Sequence, residues 1–173
     1  MSSDPSPSAQ SAPQSAAERR RDRIFLVVVD DSPERDVALR YACLRALKGG
    51  GRVALLRVAE PPEMSEWAGV GALLRQERRE EAERLLSTLA GEVNRITGTM
   101  PILFVREGSA RDELLKLMEE EQRISILVLA SSPGSEGPGP LITALAGKHT
   151  ARLKRPMTIV PGGLTEAELD AVT

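Results

Sequence analysis

Residues 24–59 read IFLVVVDDSPERDVALRYACLRALKGGGRVALLRVA, and the change of texture along this stretch decides the fold. It opens with an unbroken apolar, β-branched run, IFLVVVD at 24–30. Such a run is what a strand buried on both faces looks like. Ser32 then offers an N-cap oxygen with Pro33 at the first helical position. The helix this predicts runs to about Lys48, and Gly49, Gly50 and Gly51 end it. RVALLRVA at 52–59 is a second buried strand. Strand, helix, strand is a βαβ unit, and its two strands run parallel.

Working outward, the same alternation continues. A loop with Pro61, Pro62, Gly69 and Gly71 leads to a long helix, on which Ala82, Leu85, Leu86, Leu89, Val93 and Ile96 share one face. Glu80 and Arg84 form an i,i+4 pair there, and Gly98 stops the helix. PILFVR at 101–106 is a third strand, followed by Ser109 and Asp112 as a variant capping box ahead of Leu114, Leu115 and Met118. ISILVLA at 124–130 is a fourth buried strand, and a loop of Ser, Pro and Gly spans 131–140. Leu141, Ile142, Leu145 and Leu153 lie on one further helix ended by Pro156; MTIV at 157–160 is a short fifth strand. Thr165 and Glu168 make a capping box for a last helical turn or two. The pattern predicts an α/β domain at 24–173, an open doubly wound, five-stranded parallel sheet with helices on both faces. Residues 1–23, rich in Ser, Pro, Ala and Arg, read as a disordered tail with too little apolar surface to offset its ordering entropy.

Composition narrows the function. Of 173 residues 41% are apolar and 28% charged, as in soluble globular proteins, but only 2% are aromatic. Platforms for stacking single-stranded bases are therefore scarce. A net charge of −2 gives no field that draws nucleic acid or anionic lipid. Cys43 is the single cysteine and His149 the single histidine, which excludes an internal disulfide and a two-histidine metal site. No run reaches the ~20 apolar residues of a membrane helix. No apolar segment near the N-terminus resembles a secretory signal, so a cytoplasmic protein is expected.

Ligands of open α/β sheets bind beyond the C-terminal strand ends, where strand order reverses. Strand one ends in Asp30-Asp31-Ser32 and strand four in SSPGSEGPGP. If these strands are neighbours, the two loops face each other across one crevice. Adjacent strand residues point to opposite faces, so only one of Asp30 and Asp31 faces it unless the strand has already ended. Gly134, Gly137 and Gly139 let backbone N–H groups approach an anion, and the next helix aims its N-terminus at the same place. Gly147 suits either close packing or ligand approach, and Lys148 adds a point charge suited to phosphate. A Walker loop and a dinucleotide fingerprint both fail because Ile142 stands where each needs a small residue. Cys43, in an Ala/Leu-rich helix, reads as core.

These residues together resemble the universal stress proteins of the UspA type, over residues 24 to about 162. Asp30, Ser32 and Ala38 match the family's first strand end and helix, Val58 its adenine-flanking apolar position, and VREGSARDELLKLMEEE at 105–121 its Glu-Gly turn and acidic helix. Gly134-x2-Gly137-x9-Gly147 has the spacing of nucleotide-binding members, with Lys148 in place of the family's hydroxyl and Ser131 ahead of the first glycine. The resemblance implies strand order 3-2-1-4-5, the adenine-nucleotide alpha-hydrolase-like fold, and ATP with Mg²⁺ as ligand. It implies contacts from Asp30, Val58, Ser131, Gly134, Gly137, Gly147 and Lys148, with no catalytic residue beyond, at most, weak ATPase activity. It also implies a homodimer through strand 157–160 that acts through protein partners in stress response. The alternative is a dimeric interaction module of the same family that binds no nucleotide.

Overall fold

The middle strand, β1 (Ile24–Val28), has four buried residues, because it is paired on both edges and covered on both faces. The computed structural model describes residues 15, 20, 22–61, 68–134, 137–147 and 149–173. Around β1 the sheet adds β2 (Arg52–Ala59), β3 (Ile102–Glu107), β4 (Ile124–Ser131) and β5 (Met157–Pro161). All neighbours are parallel and the order is β3-β2-β1-β4-β5, so the chain reverses direction across the sheet between β1 and β4. The register of β1 against β4 slips by one residue between Ile24 and Phe25.

The period-two geometry of strands divides the apolar runs between two cores. Phe25, Val27, Val53, Leu55 and Val128 face α1 (Arg35–Gly49) and α2 (Ala68–Thr97), where they meet Leu39, Cys43, Leu86 and Val93. Ile24, Leu26, Ala54, Leu56 and Leu127 face α3 (Ala110–Glu120), α4 (Pro140–Ala146) and α5 (Thr150–Leu153), meeting Leu114, Leu117, Leu145 and Leu153. A C-terminal helix, α6 (Glu166–Val172), joins the first core through Leu169. Among the described residues no helix is long and apolar enough to cross a membrane.

Local chemistry shifts several expected boundaries. Ser32 does not cap α1. Its N–H and its hydroxyl both donate to Asp30 Oδ1, at 3.0 and 2.6 Å, and the side chain makes no capping bond to the helix; only the Ser32 carbonyl reaches it, accepting the Arg35 N–H at 3.4 Å. The helix begins at Arg35 after a tight turn, leaving Pro33 outside it. Ser109 is the N-cap of α3, but its side chain accepts no bond from the first turn; Asp112 pairs with Arg111 instead, which lowers the carboxyl's pKa. Gly69 and Gly71 lie inside α2, not in a loop. The single helix expected over 141–153 is broken at Gly147: the Thr150 hydroxyl donates to the carbonyls of Leu145 and Gly147, at 2.8 and 3.0 Å, and so satisfies acceptors released by the break. The Thr165–Glu168 box forms as expected, with Thr165 Oγ1 accepting the Glu168 N–H and Glu168 Oε2 accepting the Thr165 N–H at 2.8 Å. The expected tail falls largely outside the described residues.

Candidate functional site

β1 stops at Val28, two residues short of the sequence expectation, and this frees both aspartates beyond it. Asp30 and Asp31 therefore line the same cleft, past the C-terminal ends of β1, β2 and β4. The cleft holds about 490 Å³, within the range of small-molecule sites. Its floor is apolar: Val28, Val29, Val58, Ala59, Leu129 and Ala130. One wall is the middle of α2, with Arg78, Glu81, Ala82 and Leu85; the opposite wall is Pro138, Gly139, Pro140, Leu141 and Ile142, at the start of α4.

The polar groups are held in place. Asp30 Oδ1 accepts both donors of Ser32, and the Asp30 carbonyl accepts from Arg35 at 2.9 Å. Oδ2 of Asp30 accepts no hydrogen bond among the described residues, so one carboxylate oxygen remains an available acceptor. Arg57, entering from β2, grips Asp31 through both carboxylate oxygens at 2.9 and 2.7 Å and also donates to the Val29 carbonyl at 3.2 Å. Nη2 makes both contacts to Asp31 while Nη1 serves the Val29 carbonyl, and so Arg57 ties the end of β2 to the end of β1. Glu60 Oε1 accepts the Ala110 N–H at 3.2 Å, closing the first turn of α3 onto β2. Among the described residues no group of three His, Cys, Asp or Glu side chains could hold a metal ion, and both oxygens of Asp31 are already spent on Arg57.

Of the expected site residues, Asp30 and Val58 line the cleft. Ser131 ends β4, opposite Pro161 of β5, and its carbonyl accepts the Gly162 N–H at 2.8 Å. Gly134 comes next, its N–H donating to Ser132 Oγ at 3.3 Å, and Gly137 sits at φ 92°. Neither of these two, nor Ser131, is on the cleft wall; Gly139, at φ 96° and N-cap of α4, is the loop glycine that is. Gly147 caps the far end of α4, away from the lining. Lys148 lies outside the described residues. Arg57 escapes the sequence reading, although a charge inside an otherwise apolar strand is a visible signal; its partner depends on strand register. Arg78 and Glu81 look like ordinary solvated positions until the helix is placed over the cleft.

A sequence model of the universal stress protein family matches residues 21–161. The chain belongs to the universal stress protein family. A sequence comparison with curated proteins returns no match. Among solved structures, this family member is similar to the universal stress protein UspA from Lactobacillus plantarum, with a TM-score of 0.69 and 16% identity over 82% of this chain and 98% of that one. It is similar to an Arabidopsis thaliana universal stress protein with AMP bound, at TM-score 0.56 and 16% identity over 80% and 90% of the two chains. It is also similar to a universal stress protein in complex with cAMP, at 0.50 and 17% over 80% and 96%. At these identities the likeness is one of fold: the five-stranded parallel sheet ordered β3-β2-β1-β4-β5 is the universal stress protein architecture.

Proposed function

We propose that this universal stress protein binds an adenine nucleotide in the cleft at the β1–β4 reversal. The observation that carries the reading is the pairing, in one cleft, of an apolar floor at Val58 with the available carboxylate oxygen of Asp30. A flat base suits the first, and a ribose hydroxyl suits the second as donor. Gly139, with φ 96° and no side chain, allows a backbone amide close to an anion on the opposite wall. AMP and cAMP in two similar structures support the same class of ligand. ATP with Mg²⁺ is the finer form of the proposal: the cation would be held mainly by phosphate oxygens and water rather than by a protein cage, and Gly134, Gly137, Gly147 and Lys148 are the residues proposed to serve a longer phosphate chain.

The test is calorimetry with AMP, cAMP and ATP–Mg²⁺ at millimolar concentration. Binding of at least one is expected, and Asp30→Ala should weaken it by about 1.5–3 kcal/mol, the worth of a hydrogen bond to a charged group. No heat with any of the three overturns the reading and favours the nucleotide-free interaction module. We further propose that two copies associate along β5, an edge strand with Ile159 39% exposed.

A further inference from the structure

The family match ends at residue 161, yet the chain continues and folds back onto the domain. Directly after β5 the chain turns at Gly162 and Gly163, where Leu164 N–H donates to the Pro161 carbonyl at 3.2 Å. Gly162 donates its N–H to the Ser131 carbonyl at 2.8 Å. A β-carbon at Gly162 would collide with the Glu34 side chain and lie 2.9 Å from the Ser131 carbonyl oxygen, so only glycine fits. At Gly163 the neighbour is the Pro133 ring. Glu34 belongs to the loop that carries Asp30 and Asp31 into α1; Ser131 and Pro133 begin the loop that ends at Gly139. One turn thus touches the roots of two loops that line the cleft.

The C-terminal helix anchors that turn. Leu169 is 2% exposed in the core beneath α1. Around it, Arg40 pairs with Glu166 at 3.3 Å, Lys48 Nζ donates to the Asp170 carbonyl at 2.8 Å, and Arg45 donates to the Thr173 carbonyl at 3.3 Å. Each of these tethers joins the C-terminal segment to α1. Arg40 Nε is buried without a hydrogen-bond partner among the described residues. A helix held by one apolar residue and a few half-exposed polar contacts belongs to the weaker part of a fold, which opens before the sheet does.

We infer that residues 162–173 are a brace for the cleft, with Gly162 the positioning residue that sets the β1–α1 loop against the β4–α4 loop. Docking of α6 then selects the arrangement in which Asp30 and Gly139 face each other. Because coupling between two sites is reciprocal, a ligand held between those loops strengthens the docking of α6. The ligand part rests on the adenine-nucleotide reading; the mechanical part does not.

The test is amide NMR on the full chain, comparing wild type with Leu169→Asp, which undocks α6, and Leu169→Met, which keeps it docked. In Leu169→Asp the resonances of Ser32, Glu34, Ser131, Ser132 and Gly134 should move and broaden along with those of α6, while β1, β2 and β3 keep their dispersion; Leu169→Met should match wild type. Gly162→Ala, which leaves the anchor intact, should perturb the same loop residues. Changes confined to α6 and α1 in the aspartate variant overturn the brace. So does loss of dispersion throughout the sheet in both Leu169→Asp and Gly162→Ala, since the segment would then be part of the folding core. With AMP as the probe, wild type should bind about tenfold more tightly than Leu169→Asp, on the order of common coupling factors. Equal AMP binding by the two overturns the coupling. No AMP binding by wild type removes the nucleotide reading and leaves the loop result to decide the brace.

Discussion

Cys43 shows a reactive group silenced by its position. It lies on α1 with no exposed surface, and burial pushes its thiol up to about 12; Glu92 adds to the rise and Arg40 opposes it. The thiolate that reagents attack is therefore nearly absent at neutral pH. A thiol-selective reagent at pH 7 to 8 should label the folded protein negligibly, and one thiol per chain after denaturation; rapid labelling of native protein would show that α1 opens. Arg57 is the opposite case, a charge engaged at the edge of the cleft. Asp31 is 80% exposed, so the ion pair is worth little by itself, roughly 0.5–1 kcal/mol of coupling in a double-mutant cycle with Asp31→Asn and Arg57→Gln. Its larger effect should be on the cleft: Arg57→Gln should weaken any nucleotide bound there several-fold, read by calorimetry, while shifting the melting temperature little. At this scale, the polar residues that follow a buried apolar run were legible from sequence, although β1 itself stops two residues before its run does. Asp30 was read that way, whereas Val58 was named only through the likeness to a family. Gly139 was read into the crevice from its glycine-rich loop; Arg57 and Arg78 were not placed there, because each reaches it only through the register of a strand or the rotation of a helix, which no local pattern carries.

At the level of elements, the capping residues separate into those whose oxygen is free and those already engaged. Thr165 and Glu168 read correctly because nothing else competes for them. Ser32 misled because Asp30, two residues earlier, takes both of its donors. Gly147 breaks a helix that spacing alone continues, and the compensating Thr150 hydroxyl is visible only in three dimensions. The α6 box carries a pH prediction. Bonds from Thr165 N–H and its hydroxyl hold the Glu168 carboxyl below its ordinary pKa of 4.5. A carboxyl depressed in the folded state contributes stability above its unfolded pKa and loses it as pH falls through the folded one. The ¹³Cα shifts of residues 166–172 should move toward coil values between about pH 5 and pH 3, and Glu168→Ala should show the coil-like shifts already at neutral pH. Unchanged shifts across that range would mean that the capping box is dispensable and that Leu169 with the tethers to α1 holds the helix.

For the whole molecule, the parallel sheet was legible because three buried runs and two further apolar runs alternate with helical segments, and parallel strands need such crossovers. The order of strands was not in the periodicity; it came from likeness to a family, and the sheet β3-β2-β1-β4-β5 agrees with it. The expected dimer has a specific test. Leu127 N–H donates to the Pro156 carbonyl, and the register pairs Leu127 with Met157, so Ile159 turns its N–H away from β4. Proline at that outward position should spare the fold. Light scattering should give twice 18.7 kDa for wild type and 18.7 kDa for Ile159→Pro; a dimeric proline variant would place the contact elsewhere.

The same strand order sets a schedule for synthesis. β1, β2 and β3 can pair as soon as residue 107 has emerged, but the second edge of β1 waits for β4. At a ribosomal pace of about 5–20 residues per second, the chain from Glu107 to Ser131 takes roughly 1–5 s. For that interval the most thoroughly buried strand of the finished protein offers an open row of donors and acceptors to any neighbouring nascent chain. A chain arrested between β3 and β4 is thus the form most in need of a chaperone, and crowded polysomes are where this fold is most exposed to aggregation.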